Sequence, residues 1–177
     1  MPIPLAEPES SVFRPRLDFK VHQIDLNYSD EYVPSYWQAK NPGAKWTPDH
    51  GIDEFIKHTF TAGECGTLAL VLHQLTKWPL FLDADRVSKN GQVAPGDIGH
   101  VWVCSPEGKA VDILGVHPSN YANTAYTLKP GIVMPVKSAQ LHKIFNRPHY
   151  LAWARKIVEY FPNHFGVSHY FKTNASR

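Results

Sequence analysis

Two short runs rich in β-branched and aromatic residues, HVWVC at 100–104 and AVDILGV at 110–116, flank the five-residue segment SPEGK. That spacing, with a glycine in the connection, predicts a β-hairpin. An antiparallel pair in the middle of the chain fixes much of what can surround it. PLFLDAD at 79–85 reads as a preceding strand and GIVMPV at 131–136 as a following one, with the polar, glycine-containing loop SKNGQVAPGDIG at 88–99 between the first strand and the hairpin.

The segments on either side of these strands have helical period. Ile52, Phe55, Ile56 and Phe60 lie at three- and four-residue steps, the pattern of one helix face. Leu68, Val71, Leu72 and Leu75 form a second apolar stripe that Trp78-Pro79 ends. Thr61 and Glu64 have the spacing of a capping box, which predicts a helix starting at Thr61 with Cys65 in its first turn. SAQLHKIF predicts a short helix, and HYLAWARKIVEYF a longer one with Leu151, Ala154, Ile157, Val158 and Phe161 on one face.

The expected fold class is therefore α+β, a Cys65-bearing helix packed on an antiparallel β-sheet. At 177 residues the chain fits one domain. Residues 49–177 are expected to form it. Residues 1–48 hold seven of the fifteen prolines together with Phe13, Tyr28, Tyr32, Tyr36, Trp37 and Trp46. They read as an extended, proline-rich aromatic arm able to dock on the core.

The chemistry centres on Cys65. A thiol in the first turn of a helix lies near the positive end of the macrodipole and near unpaired N–H groups, which favours the thiolate and can stabilise an oxyanion. Gly63 and Gly66 leave room for a substrate backbone. A nucleophilic thiol needs an imidazole, and the imidazole needs a third group to fix its tautomer. His100 opens the first hairpin strand. Asp112 interrupts the apolar run Ala110, Val111, Ile113, Leu114, where a carboxylate is costly unless paired. If the turn centres on Glu107 and Gly108, Val103 pairs with Val111 or Asp112. Contact between His100 and Asp112 then requires a bulge or an imidazole that leans along the strand.

A cysteine at a helix start, then HVWV, then a turn and VDILG, resembles the core of the papain-like and transglutaminase-like cysteine enzymes over residues 61–115, about a third of the chain. The superfamily includes cysteine proteases, transglutaminases, arylamine acetyltransferases and bacterial deamidase toxins, with the catalytic order Cys, His, then Asp or Asn. The resemblance implies Cys65 as nucleophile, His100 as general base and acid, and Asp112 as the orienting acid. The short interval from Cys65 to His100 looks more like the transglutaminase and acetyltransferase arrangement than the papain one. KHTFTAGEC lacks the glutamine that papain-like proteases carry before the cysteine. The oxyanion donors are then backbone N–H groups of Cys65 and a neighbour, or a side chain such as Gln38, Gln74 or Asn41. The expected function is a cysteine hydrolase or deamidase acting on an amide of a protein or peptide through an acyl-enzyme. The alternatives are an acyltransferase and a catalytically inactive binding module of the same fold.

Other partner classes are less favoured. Lys+Arg 18 against Asp+Glu 16 leaves a net charge of +2, which does not point to nucleic acid. No run of about 18 apolar residues exists to span a membrane and no signal-peptide h-region is visible, so the expectation is a cytoplasmic protein or a delivered effector. Ten histidines invite a metal reading, with His100, Cys104, Asp112, His117 and Cys65 as candidates. No CxxC, HxxxH or HExxH occurs, so neither a metal nor a cofactor is expected. Two cysteines are too few for a disulfide framework, and Cys104 reads as a core thiol. The composition leaves the oligomeric state open.

Overall fold

The computed structural model describes residues 49, 51–122 and 131–171, so the expected arm at 1–48 lies outside the described residues. The chain first forms helix α1, Glu54–Ala62, capped by Asp53, whose side chain accepts the Ile56 N–H at 3.0 Å. Ile56 and Phe60 are its fully buried contacts. Gly63 ends it, and two residues later helix α2 begins, Cys65–Thr76.

The capping box expected at Thr61 does not form. Thr61 belongs to the last turn of α1, where its hydroxyl donates to Lys57 O at 2.7 Å. The apolar period beginning at Ile52 carries the first helix through Thr61, and Gly63 then breaks it. Glu64 is the N-cap residue of α2 but makes no side-chain cap. Its carboxylate instead accepts the Thr67 hydroxyl at 2.6 Å.

Helix α2 is buried on all sides, with only Gln74 outside the buried set. Its expected stripe is therefore part of a larger apolar surface, because the helix runs between the sheet on one side and other helices around the rest. It stops where Lys77 turns left-handed (φ 63°) ahead of Trp78-Pro79.

Five antiparallel strands follow: β1 Leu80–Ala84, β2 Ile98–Cys104, β3 Ala110–Asp112, β4 Gly115–Val116 and β5 Ile132–Val136, in the order β4-β3-β2-β1-β5. A 3₁₀ turn at Pro95–Asp97 leads into β2. The hairpin register pairs Val103 with Val111 and Cys104 with Ala110. AVDILGV, expected as one strand, is divided: Ile113 and Leu114 turn the chain back so that Val111 pairs with Val116 and Asp112 with Gly115. Gly115 holds φ +99°, and an added Cβ there would press on His164. Only glycine suits that corner.

Leu80, Leu82, Ala84, Val101, Val103 and Val111 bury the helix-facing side of the sheet in the main core. Phe81, Trp102 and Ala110, on the alternate strand positions, form a second, smaller cluster with Ala122 from the segment after β4. Helix α3, Ser138–His142, and helix α4, Pro148–Tyr160, complete the helical layer. Ala154, Ile157 and Val158 carry α4 into the core, joined by Trp153 against Phe60. A final 3₁₀ turn spans Ser168–Tyr170. No described helix is long and apolar enough to cross a membrane.

Candidate active site

Asp112 is the last residue of β3. Its Oδ1 accepts the Leu114 N–H at 2.8 Å, the local bond by which an aspartate starts a tight turn. The same geometry that divides the second run therefore fixes the carboxylate. His117 Nε2 donates to Oδ1 at 2.7 Å and His100 Nε2 to Oδ2 at 2.8 Å. Three donors on one carboxylate, only 3% exposed, meet the condition under which a buried charge is tolerated.

The β2–β3 ladder ends at Val103 and Val111; extended by one residue, that register sets Asp112 level with Trp102 and His100 two residues further along β2. Such diagonal neighbours lie about 7–8 Å apart at Cα, so the contact is closed by the imidazole leaning along the strand. A bulge is present, but on the other side of β2: Asp83 pairs with His100 and Ala84 with Ile98, leaving Gly99 unpaired. His100 is fully buried, its ring stacked near Trp102 at 6.1 Å between centroids.

With Nε2 engaged by Asp112, the other ring nitrogen faces inward. Nδ1 of His100 is buried and without a hydrogen-bond partner. The Cys65 thiol is the second polar group acting on this ring. Burial alone drives the imidazole down. The hydrogen bond to Asp112, followed by the influence of Cys65, outweighs burial and leaves the His100 pKa raised from 6.5 to about 9. Burial likewise pushes the Asp112 carboxyl up, but the hydrogen bonds from His100 and His117 hold it well below the usual carboxylate range. Both shifts favour an ionised buried pair.

Cys65 itself is 7% exposed and is the first residue of α2. It lines a cleft of about 410 Å³ between the α1–α2 corner, the segment entering β2 and the start of α4. Gly63, Gly96 and Gly99 border the cleft, with open space beside the Cα of Gly63 and of Gly96. Phe145 and Ile144 form an apolar wall, and Arg147 stands at the mouth with its Nη1 3.0 Å from Glu64 Oε1. Glu64 is 5% exposed and adjacent to the nucleophile candidate. Gly66 is required by a neighbour, since an added Cβ would enter the Phe145 ring.

No family model, curated protein or solved structure matches the chain.

Of the side chains considered as oxyanion donors, Gln38 and Asn41 lie outside the described residues. Gln74 is excluded by position: it sits more than two turns along α2 from Cys65 and accepts Arg155 Nη2 at 3.4 Å. Among the described residues, the first-turn N–H groups remain as donors, part of the set that a helix start cannot pair internally.

Cys65 and Cys104 are both free thiols. Cys104, expected in the core, is half-buried at the end of β2, and burial pushes its thiol pKa up. His73, in the last turn of α2, ties down the segment that follows the helix through Nδ1 and Trp78 O at 2.7 Å. Among the described residues no group of three or more His, Cys, Asp or Glu side chains is arranged to hold a metal ion.

The sequence groups His117 with Asp112 only in a metal reading, not as a partner of its carboxylate, and gives Glu64 and Arg147 no place in the site. His117 lies five residues after Asp112, and only the turn between β3 and β4 folds it back onto the carboxylate. Arg147 comes from a distant helix start and carried no sequence signal.

Proposed function

We propose that the protein is a cysteine-dependent hydrolase or deamidase acting on an amide of a protein or peptide, with Cys65 as nucleophile, His100 as general base and acid, and Asp112 as the orienting acid. The fold is read as a papain-like or transglutaminase-like core. What carries this reading is the division of labour on one buried ring: Nε2 of His100 is committed to Asp112, while Nδ1 is left without a hydrogen-bond partner and the ring feels Cys65. Resting-state contacts between nucleophile and base are often loose and tighten with substrate.

The chemistry follows from those positions. With the ring raised to about 9, the thiol proton already resides on His100 Nδ1, and Sγ attacks the carbonyl carbon as the thiolate of that ion pair to form a C–S bond. Negative charge on the carbonyl oxygen is met by N–H groups at the start of α2. The tetrahedral species collapses with cleavage of the C–N bond. His100 gives its proton to the departing amine, or to ammonia when the substrate is a side-chain amide. Water then attacks the thioester while His100 takes its proton, and release of the acid restores the thiolate–imidazolium pair. Asp112 stays ionised throughout and stabilises the imidazolium. The open, glycine-bordered cleft suits an extended backbone or a long side chain.

The test is the rate of iodoacetamide alkylation of Cys65 at neutral pH, followed by intact mass, alongside ammonia release from glutamine-containing peptides and proteins. A rate well above that of a free-cysteine peptide, lost in His100→Ala, is expected. Peptide-like alkylation that is indifferent to His100→Ala refutes the assignment.

A further inference from the structure

His117 is not used by the steps above, yet it makes one of the shortest polar contacts at the site. Nε2 stands 2.7 Å from Asp112 Oδ1, and the backbone is fixed beside it by the His117 N–H donating to Ala110 O at 2.8 Å. The two oxygens of Asp112 thus have different tasks: Oδ2 serves His100, while Oδ1 is held by His117 and by the Leu114 N–H. A carboxylate on a two-bond side chain can rotate about its last torsion. Two donors on one oxygen stop that rotation and keep the other oxygen in line with the imidazole.

We propose that His117 is a positioning residue for the catalytic pair: by clamping Oδ1 it fixes the plane of the Asp112 carboxylate, and it acts on His100 and Cys65 only through that carboxylate. The inference rests on the reading of Cys65, His100 and Asp112 given above. His117 also connects the site to solvent, since its side chain is 11% exposed where His100 is fully buried. The charged or titratable groups acting on His100 are Asp112 from β3 and Cys65 from α2. Those acting on Asp112 are His100 and His117. Loss of His117 removes one of the two imidazoles that keep the carboxyl ionised, so the pH at which Asp112 takes a proton moves upward.

The experiment compares full-length wild type, His117→Ala and His117→Gln, the last retaining a side-chain N–H. Two quantities are read: the pH profile of Cys65 alkylation, and the Asp112 carboxyl titration by carbon NMR in a Cys65→Ala background. Expected for His117→Ala is a fall of about tenfold in neutral-pH alkylation, the scale of one hydrogen bond to a charged group. An upward shift of both the acid edge of alkylation and the carboxyl titration should accompany it, with most of the loss recovered in His117→Gln. Thermal melting confirms that each variant is folded. If His117→Ala fails to fold, His117→Gln decides: near-wild-type values in both readouts support the clamp, and a full loss overturns it. A folded His117→Ala with an unchanged carboxyl titration overturns the proposal. So does a shifted titration with unchanged alkylation, which reduces the contact to a structural one. Failure of the underlying reading looks different, because His100→Ala is then silent in the alkylation assay as well.

Discussion

His100 and Asp112 meet at 2.8 Å although the strand register, carried one residue past the Val103–Val111 pair, sets them on a diagonal. The contact depends on two separate devices: the reach of an imidazole along β2, and a carboxylate anchored by the turn it begins. Disturbing either one should uncouple the pair, and the consequences differ.

Asp112→Asn removes the charge while keeping the shape. Burial, the largest influence on His100, then loses its main opponent, so the imidazole should titrate below its wild-type value of about 9. Histidine ring NMR in the variant measures it, and a midpoint still near the wild-type position would mean that Asp112 is not what raises the ring. Leaving a buried cation with one partner gone should also lower stability by about 3–5 kcal/mol.

The pH dependence of folding should follow the same pair. His100 has a folded pKa above its unfolded value of 6.5, so its contribution is complete below about pH 6.5 and is lost as pH rises through about 9, a change on the order of 3 kcal/mol. Asp112 is depressed from 3.8. Its contribution is present above that value and lost as pH falls through the folded pKa. Urea midpoints across pH 3 to 10 should therefore peak in the mildly acidic range and decline toward pH 9, and the alkaline decline should flatten in Asp112→Asn.

Gly66→Ala should destabilise by about 1–3 kcal/mol, because the new methyl enters the ring of Phe145, itself 8% exposed and unable to swing freely. Trimming the ring in a Gly66→Ala, Phe145→Leu double variant should recover part of the loss. Strict additivity of the two changes in denaturation midpoints would contradict the clash.

Arg147→Met deprives Glu64 of the guanidinium 3.0 Å away and leaves the buried carboxylate with Thr67. Half the Arg147 side chain is exposed, which limits the loss to about 1 kcal/mol. Chemical denaturation should show that loss largely absent when Glu64→Gln is combined with it.

The α+β class and the order of its elements were legible in the sequence because apolar period changes from helical to alternating at Pro79 and returns to helical after Val136. The length of SPEGK limits the partner of Val103 to Val111 or Asp112, and the structure pairs it with Val111. The start of α2 was not legible: Thr61 and Glu64 satisfy a capping pattern, but the three-residue interval between them carries Gly63, which ends one helix before another begins. The division of AVDILGV at Ile113 was hidden for a related reason. Turn formation there depends on a carboxylate accepting the Leu114 N–H and on glycine at 115, while the surrounding residues are all strand formers. The pairing of Asp112 with His100 could be suspected from the cost of a carboxylate among apolar neighbours. His117 groups with Asp112 in the sequence only as a candidate metal ligand; its hydrogen bond to the carboxylate depends on the folded turn that brings it back.

Helix α2, surrounded by core on nearly every side, should be among the last segments to surrender its amide protons to deuterated solvent. A thiol at its first residue is therefore mounted on the slowest-opening part of the molecule. Breathing of the cleft then comes from its other walls, the α1–α2 corner, the glycine-bearing approach to β2 and the start of α4, while the nucleophile candidate stays as the fixed reference against which they move.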